Sequence, residues 1–196
     1  RFASPSVRHS ATVGGNLVNA SPVADLAVLL LAMNAELVLD SDSGRRHLPL
    51  HDFFQGYHQT ARRPDEWLVQ IRVALDHPPA QLFYEKISNR RLDDMAIVNV
   101  ALCLRPSADG VVDALRLSAG GVAPVPCLLR QTMAKLDGQA PSPDLVRTAL
   151  AALATDIAPN DDLHGSAAYK ARLLQHMVLA QLAGAFPSLD WQGCLP

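Results

Sequence analysis

The stretch from Ala11 to Asp25 constrains this chain most, because it places two adjacent glycines just before the start of an apolar helix. Gly14 and Gly15 carry no Cβ, so the backbone there can adopt positive φ and approach a ligand closely, while nearby N–H groups converge on an anion. Ser21-Pro22 predicts the helix start, since serine is a favoured N-cap and proline a favoured first helical residue. We therefore expect a ligand-binding site at the N-terminal end of this helix, formed by Thr12, Asn16, Ser21 and Asp25.

The same residues leave a second interpretation open. The stretch contains neither the G-x-G-x-x-G pattern of dinucleotide-binding folds nor the G-x-x-x-x-G-K-[ST] pattern of P-loops. A tight Gly-Gly turn leading into a buried helix explains the pattern equally well from the residues alone.

Composition and charge exclude several classes of function. The chain is 49% hydrophobic and 18% charged with a net charge of −2, so it has no basic field for nucleic acid. The longest apolar run, within residues 22–33, is too short to span a bilayer, and no signal peptide opens the sequence, so we expect a cytoplasmic protein without a membrane partner. Three cysteines without a C-x-x-C pair predict reduced thiols and no metal or iron–sulfur cluster in this chain.

The hydrophobic periodicity after the first motif predicts an α+β chain. Ala35–Ser41 and Gln81–Ser88 alternate like half-buried strands, and Met95–Leu104 with Val111–Ser118 indicates an antiparallel pair. Helices are predicted for three later segments: Pro126–Leu136, Asp144–Asp156 and Ser166–Ala185.

A proline pair and a glycine pair mark two further features of the chain. His77-Pro78-Pro79 is the predicted domain boundary, because consecutive prolines end a preceding strand. It separates residues 1–78 from residues 79–196. Gly120-Gly121 is interpreted as a turn and not as a second phosphate loop, since a bare glycine pair is usually a turn.

Three longer motifs suggest a family. Thr-Val-Gly-Gly-Asn at 12–16 is followed by Asn-Ala-Ser-Pro-Val-Ala-Asp-Leu at 19–26, and Phe-Phe-Gln-Gly-Tyr at 53–57 is followed by Arg-Pro-Asp-Glu-Trp-Leu at 63–68. The segment 86–94 reads Lys-Ile-Ser-Asn-Arg-Arg-Leu-Asp-Asp. Together these resemble the FAD domain of the molybdenum hydroxylases, the xanthine dehydrogenase and aldehyde oxidase family. The third motif resembles the charged loop of the xanthine dehydrogenase branch and favours it over the carbon monoxide dehydrogenase branch.

The resemblance implies an α+β fold in two parts. Residues 1–78 would form the C-terminal part of a two-subdomain FAD-binding domain of the PCMH type. Residues 79–196 would form the family's C-terminal domain, an antiparallel sheet packed with helices. A further glycine-rich loop of the family lies upstream of these motifs and is not in this sequence, so we expect a fragment of a longer protein.

The resemblance also implies which residues hold FAD. Phe2 stands ten residues before Thr12, the spacing of an aromatic residue that lies beside the flavin in xanthine dehydrogenases. The implied cofactor-binding residues are Phe2, Thr12, Gly14, Gly15, Asn16, Ser21, Asp25, Leu68 and Lys86. From the residues alone, Phe2 and Leu68 are also compatible with ordinary packing positions.

Three further residues are implied on the side of the flavin where a nicotinamide would approach. Tyr57 would line that side, although a loop tyrosine with a solvated hydroxyl explains it too. Arg90 and Asp93 would tune the surroundings of the flavin and the access of NAD+, because a cation near the ring stabilises an anionic reduced flavin and a carboxylate opposes it.

The activity that the resemblance implies is that of an FAD-dependent oxidoreductase, the small subunit of a xanthine dehydrogenase acting in purine catabolism. Purine hydroxylation would occur at molybdopterin on a large subunit, electrons would pass through [2Fe-2S] clusters in an iron–sulfur domain, and FAD would pass a hydride to NAD+. No residue resembles a general base for hydroxylation, so we expect no hydroxylation by this chain alone. Two alternatives stay open: the flavin subunit of a sister enzyme acting on aldehydes, carbon monoxide or aromatic acids, and a truncated interaction module that no longer binds FAD.

Overall fold

The computed structural model describes residues 2–74, 81–90, 95–105 and 111–191. Helices and strands are mixed along the chain, which confirms the predicted α+β class. The N-terminal elements are α1 (Pro5–Ser10), α2 (Val13–Val18), α3 (Asp25–Ala32), β1 (Glu36–Ser41), β2 (Gly44–Pro49), a 3-10 turn (Leu50–Asp52), β3 (Phe54–Gly56), β4 (Gln59–Thr60) and β5 (Trp67–Arg72). The later elements are β6 (Gln81–Ile87), β7 (Val98–Arg105), β8 (Asp113–Gly120), β9 (Cys127–Leu128), α4 (Arg130–Leu136), α5 (Pro143–Asp156) and α6 (Ala167–Ala185).

The first sheet is antiparallel, with strand order β2-β1-β5. Its central strand confirms the strand predicted for Ala35–Ser41. Leu37 and Leu39 are buried on one face of β1, where they pack with Leu17 and Phe53. The alternation in the sequence therefore reports this buried face.

The second sheet is antiparallel, with strand order β6-β7-β8-β9, and it confirms the strand predicted at Gln81–Ser88 and the predicted antiparallel pair. The side chains of β7 alternate between two covered faces. Val98, Val100 and Leu102 point into a core shared with α5 and α6, whereas Ala101 contacts α3. Both faces of this strand are therefore buried.

The two long C-terminal helices confirm the helices predicted at Asp144–Asp156 and Ser166–Ala185, and each begins just after a serine cap. Oγ of Ser142 accepts a hydrogen bond from the Leu145 amide, and Oγ of Ser166 accepts one from the Tyr169 amide, each at 3.2 Å. The helix predicted from Pro126 is wrong over its first residues. Cys127–Leu128 pairs with β8 as strand β9, and α4 begins only at Arg130.

Helix α3 lies between the two sheets. Ala27 and Leu31 pack in the core of the first sheet, and Val28 and Ala32 pack against the second. Oγ of Ser118 on β8 donates a buried hydrogen bond of 2.7 Å to the Val28 carbonyl. A helix that is apolar all round needs cover on every side, and α3 has it from both sheets.

The predicted boundary at 77–79 lies outside the described residues, so the division into 1–78 and 79–196 stays a prediction. Within the described ranges, no helix combines the length and the apolar character needed to cross a membrane.

Candidate functional site

The glycine pair lies in the first turn of a short helix. Thr12 is the N-cap of α2, and its side-chain oxygen accepts a hydrogen bond of 2.9 Å from the Gly15 amide. Gly14 and Gly15 are therefore helical, and the positive φ that glycine permits is not used at these positions. The side-chain cap decides the conformation, because glycine permits positive φ without requiring it. A Cβ on Gly15 would lie 2.8 Å from Oγ1 of Thr12, so the glycine leaves room for this cap.

The helix start predicted at Ser21-Pro22 is also wrong. Helix α3 begins at Asp25 with Ala24 as its N-cap, and Ser21 lies in the preceding turn. The cause is tertiary: the Pro22 carbonyl accepts from the Gly121 amide at 2.9 Å, and the Val23 carbonyl accepts from Nδ2 of Asn99 at 3.3 Å. These two carbonyls bind the second sheet instead of continuing the helix.

Most of the predicted cofactor residues line one cleft. It consists of two adjoining cavities of about 290 Å³ and 430 Å³, which share the walls Phe2, Ala3, Val7 and Asn16. Cavities of this size are typical of small-molecule sites. The predicted residues that line the cleft are Phe2, Thr12, Gly15, Asn16, Ser21, Asp25 and Lys86.

Asn16 lines both cavities, and its side chain carries a polar atom without a partner among the described residues. Its Oδ1 is buried and accepts no hydrogen bond from the described residues. Buried polar atoms in proteins almost always have a partner, so an unpaired one in a cavity wall indicates a position for a ligand or water donor.

Asp25 lines the cleft and accepts hydrogen bonds from three side chains. Oδ2 accepts from Nζ of Lys86 at 2.6 Å, while Oδ1 accepts from the Tyr84 hydroxyl at 2.8 Å and from Nδ2 of Asn99 at 2.9 Å. The side chains of Asp25 and Lys86 are only 9% and 8% exposed. The two predicted flavin contacts are therefore partners of each other, and they join α3 to the second sheet.

The remaining predicted residues lie beside the cleft or apart from it. Gly14 and Leu68 adjoin each other, since a Cβ on Gly14 would lie 3.7 Å from the Leu68 side chain. Arg90 is exposed three residues after the end of β6, and its carbonyl accepts a hydrogen bond from Oγ of Ser88 at 2.7 Å. Asp93 lies outside the described residues.

Tyr57 lines a neighbouring cavity of about 440 Å³, which shares Ser21, Val23 and Met95 with the cleft. On its far wall, Nζ of the buried Lys170 donates to Oδ2 of Asp162 at 2.6 Å. Burial would raise the pKa of Asp162, but the hydrogen bonds from Lys170 and from the His164 amide hold that pKa below its usual value.

Two contact residues of Asp25, Tyr84 and Asn99, escape the sequence motifs. The pairing of β6 with β7 is the signal that identifies them. Tyr84 lies two residues before Lys86 and thus on the same face of β6, and Asn99 is the cross-strand partner of Lys86. Among the described residues, no cluster of three His, Cys, Asp or Glu side chains could hold a metal ion.

Comparison with known proteins assigns this chain and its fold to a class of flavoprotein. Residues 83–184 match the CO dehydrogenase flavoprotein C-terminal domain, and residues 1–75 match the FAD binding domain in molybdopterin dehydrogenase. The chain belongs to the molybdenum hydroxylase family, as its FAD-binding part. The predicted family and its cofactor are thereby confirmed, with molybdopterin and iron–sulfur clusters carried by other parts of the family's enzymes.

Individual relatives come from more than one branch of this family. The chain is 32% identical to the carbon monoxide dehydrogenase medium chain of Hydrogenophaga pseudoflava, over 94% of this chain and 64% of the relative. It is 33% identical to the xanthine dehydrogenase/oxidase of Gallus gallus, over 81% of this chain and 12% of the relative. The solved structure of the Hydrogenophaga enzyme, in a form that lacks the Mo-pyranopterin moiety, superposes with a TM-score of 0.85, covering 90% of this chain and 61% of that chain. The chain thus spans less than two thirds of the length of the medium chain.

Proposed function

We propose that the cleft between α1, α2 and α3 binds FAD and that the protein transfers electrons through it. The observation that carries this proposal is the convergence of seven motif residues, from Phe2 to Lys86, on one cleft with an unpaired buried oxygen of Asn16. The residues present fit the cofactor. Phe2 offers an aromatic face, Thr12 and Asn16 offer hydrogen-bonding groups, and Lys86 offers a cation.

Each residue has a distinct part in holding the cofactor. Asp25 would accept a hydrogen bond from a ligand hydroxyl, because its carboxylate faces the cleft beside Lys86. Lys86 would favour added negative charge on the flavin, since an opposite charge nearby stabilises the charged form. Leu68 would support Gly14 from behind, and Tyr57 would cover the mouth, where its side chain is 65% exposed.

Bound FAD supplies two-electron chemistry, and the protein's part is to orient it and set its potential. As partners we propose a large subunit that carries molybdopterin and an iron–sulfur domain that delivers electrons to this cleft. No hydroxylation step is assigned to residues of this chain.

For the substrate and acceptor of the complete enzyme, we propose a purine and NAD+, as in a xanthine dehydrogenase. The resemblance of residues 86–94 to the charged loop of that branch supports this choice, as does the similarity to the Gallus gallus protein. A second candidate is a sister enzyme that acts on carbon monoxide or an aldehyde. The 94% coverage of this chain by a carbon monoxide dehydrogenase medium chain favours that candidate.

Two measurements test the proposal. The purified complete protein should show the visible absorption of bound flavin, and Asp25→Asn should lower the flavin content while Asp144→Asn, at an exposed helix start away from the cleft, should not. A protein without flavin absorption that still bound its partner subunits would instead support an interaction module. Stopped-flow reoxidation of the reduced flavin by NAD+ then separates the xanthine-type acceptor from others.

A further inference from the structure

The buried carboxylate of Asp25 is held by two residues that the flavin motifs do not contain. The Tyr84 hydroxyl and Nδ2 of Asn99 both donate to Oδ1, at 2.8 Å and 2.9 Å. Nζ of Lys86 donates to the other oxygen, Oδ2. Asp25 and Lys86 line the cleft, whereas Tyr84 and Asn99 support Asp25 from the second sheet.

This arrangement limits what the carboxylate can offer to a ligand. Each carboxylate oxygen accepts about two hydrogen bonds. Tyr84 and Asn99 therefore fill Oδ1, and Oδ2 keeps one acceptor position beside Lys86 among the described residues. From the pair Asp25 and Lys86, the cleft thus receives one acceptor position next to one cation, which suits a ligand hydroxyl adjacent to a group with negative charge.

The side chain of Asn99 is only partly hydrogen-bonded, which lowers the stability of the fold. It is fully buried, and both neighbours of Nδ2, Oδ1 of Asp25 and the Val23 carbonyl, are acceptors, which fixes the orientation of the amide. Its Oδ1 is left without a partner among the described residues, and an unpaired buried oxygen destabilises a fold. A Cβ on Gly120 would overlap this oxygen, so the adjacent strand also leaves room for it. Groups that break a folding rule in this way indicate a functional position.

We propose that Tyr84 and Asn99 are positioning residues for flavin binding, which act through Asp25. They fix the carboxylate so that Oδ2 and Lys86 face the cleft, and they make the affinity for FAD depend on the second sheet. This inference rests on the proposed function. It differs from a purely structural role, in which the two side chains would only attach α3 to that sheet.

The experiment compares Tyr84→Phe and Asn99→Ala with Ser118→Ala in the complete protein. Ser118→Ala is the matched control, because it removes a buried hydrogen bond from the same helix to the same sheet without touching Asp25. FAD dissociation constants are measured by quenching of flavin fluorescence, and unfolding is followed thermally. We expect Tyr84→Phe and Asn99→Ala to raise the dissociation constant about threefold to tenfold, whereas Ser118→Ala lowers the Tm and leaves the dissociation constant unchanged.

A double-mutant cycle separates the possible outcomes. In an Asp25→Ala background, Tyr84→Phe should have no further effect on FAD binding, because the carboxylate that Tyr84 positions is absent. Equal losses of affinity in Tyr84→Phe and Ser118→Ala would show a structural role and overturn the inference. If Asp25→Asn weakens FAD binding but Tyr84→Phe, which retains the ring and folds, does not, the inference is wrong while the proposed function stands. If Asp25→Asn has no effect, the inference is wrong, and flavin absorption alone decides the proposed function.

Discussion

Nζ of Lys86 lies 2.6 Å from Oδ2 of Asp25, although the two residues are 61 positions apart in the sequence. Both side chains are more than nine-tenths buried, so water cannot solvate either charge when its partner is removed. Removing one member of such a pair leaves the other charge buried and uncompensated.

Asp25→Ala should therefore lower the free energy of unfolding by about 3 to 5 kcal/mol and weaken FAD binding. The double variant Asp25→Ala/Lys86→Met should recover much of the stability, since it removes the unpaired charge, but it should not recover FAD affinity. Chemical denaturation and FAD titration measure the two quantities. Full recovery of FAD affinity in the double variant would contradict a ligand contact by either residue.

Thr12→Ala should cost about 1 kcal/mol of stability and also weaken FAD binding, because it removes the cap of α2 at the cleft wall. Ser142→Ala is the matched control, as it removes the same type of cap from α5, away from the cleft. The control should lose similar stability with unchanged FAD affinity. Parallel losses of affinity in both variants would assign the effect of Thr12 to folding alone.

Glu66 should make the protein sensitive to acid. Nε and Nη2 of Arg46 donate to its two carboxylate oxygens at 2.6 Å and 2.8 Å, and these hydrogen bonds lower the pKa of the buried Glu66 from 4.5 to about 2. A lowered folded-state pKa gives stability that is fully present above about pH 4.5 and is lost as the pH falls through 2.

Glu66→Gln should thus lower stability at neutral pH by on the order of 3 kcal/mol and flatten the dependence of the Tm on pH across this window. Asp40→Asn, which breaks an exposed pair with Arg45, should change stability by less than about 1 kcal/mol. A pH profile of Glu66→Gln as steep as that of the unmodified protein would contradict this assignment.

Gly120 is the last residue of β8, so the predicted turn begins only at Gly121, and the close packing there can be tested by comparing two glycines. Gly121 has a φ of +80°, and a Cβ there would overlap the Ile97 carbonyl, whereas Gly138 has a φ of +70° with open space around it. Gly121→Ala should cost more than about 3 kcal/mol, and Gly138→Ala only about 1 to 2 kcal/mol from backbone strain. Similar Tm values for the two variants would contradict the close packing at Gly121.

Asp93 stays a prediction from the resemblance of the charged segment. If the resemblance holds, Asp93→Ala in the complete enzyme should change the partition of electrons between NAD+ and oxygen, because it would remove a negative charge beside the flavin. Reduction of the molybdenum centre by purine should keep its rate. Stopped-flow traces of the two half-reactions measure both, and a loss confined to the reductive half-reaction would place this residue elsewhere in the mechanism.

Local signals in the sequence were sufficient for β1, β6, β7 and β8 and for the two long C-terminal helices, whereas the cofactor residues of the cleft came from the family resemblance. The errors arose where distant residues decide the local conformation. The carbonyls of Pro22 and Val23 bind Gly121 and Asn99, so α3 starts later than its cap signal predicts. The partners of Asp25 are 59 to 74 positions away, and only the register of β6 against β7 brings them to it.

The position of α3 between the two sheets has a consequence for how this protein can be recombined. The two family matches cover residues 1–75 and 83–184, but α3, which packs against the second sheet, belongs to the first match. A chimera joined between the two matches would receive Val28 from one parent and Ser118 from the other, together with Asp25 from one and Asn99 from the other. Both halves should therefore come from the same parent protein, even though each half resembles a separable module.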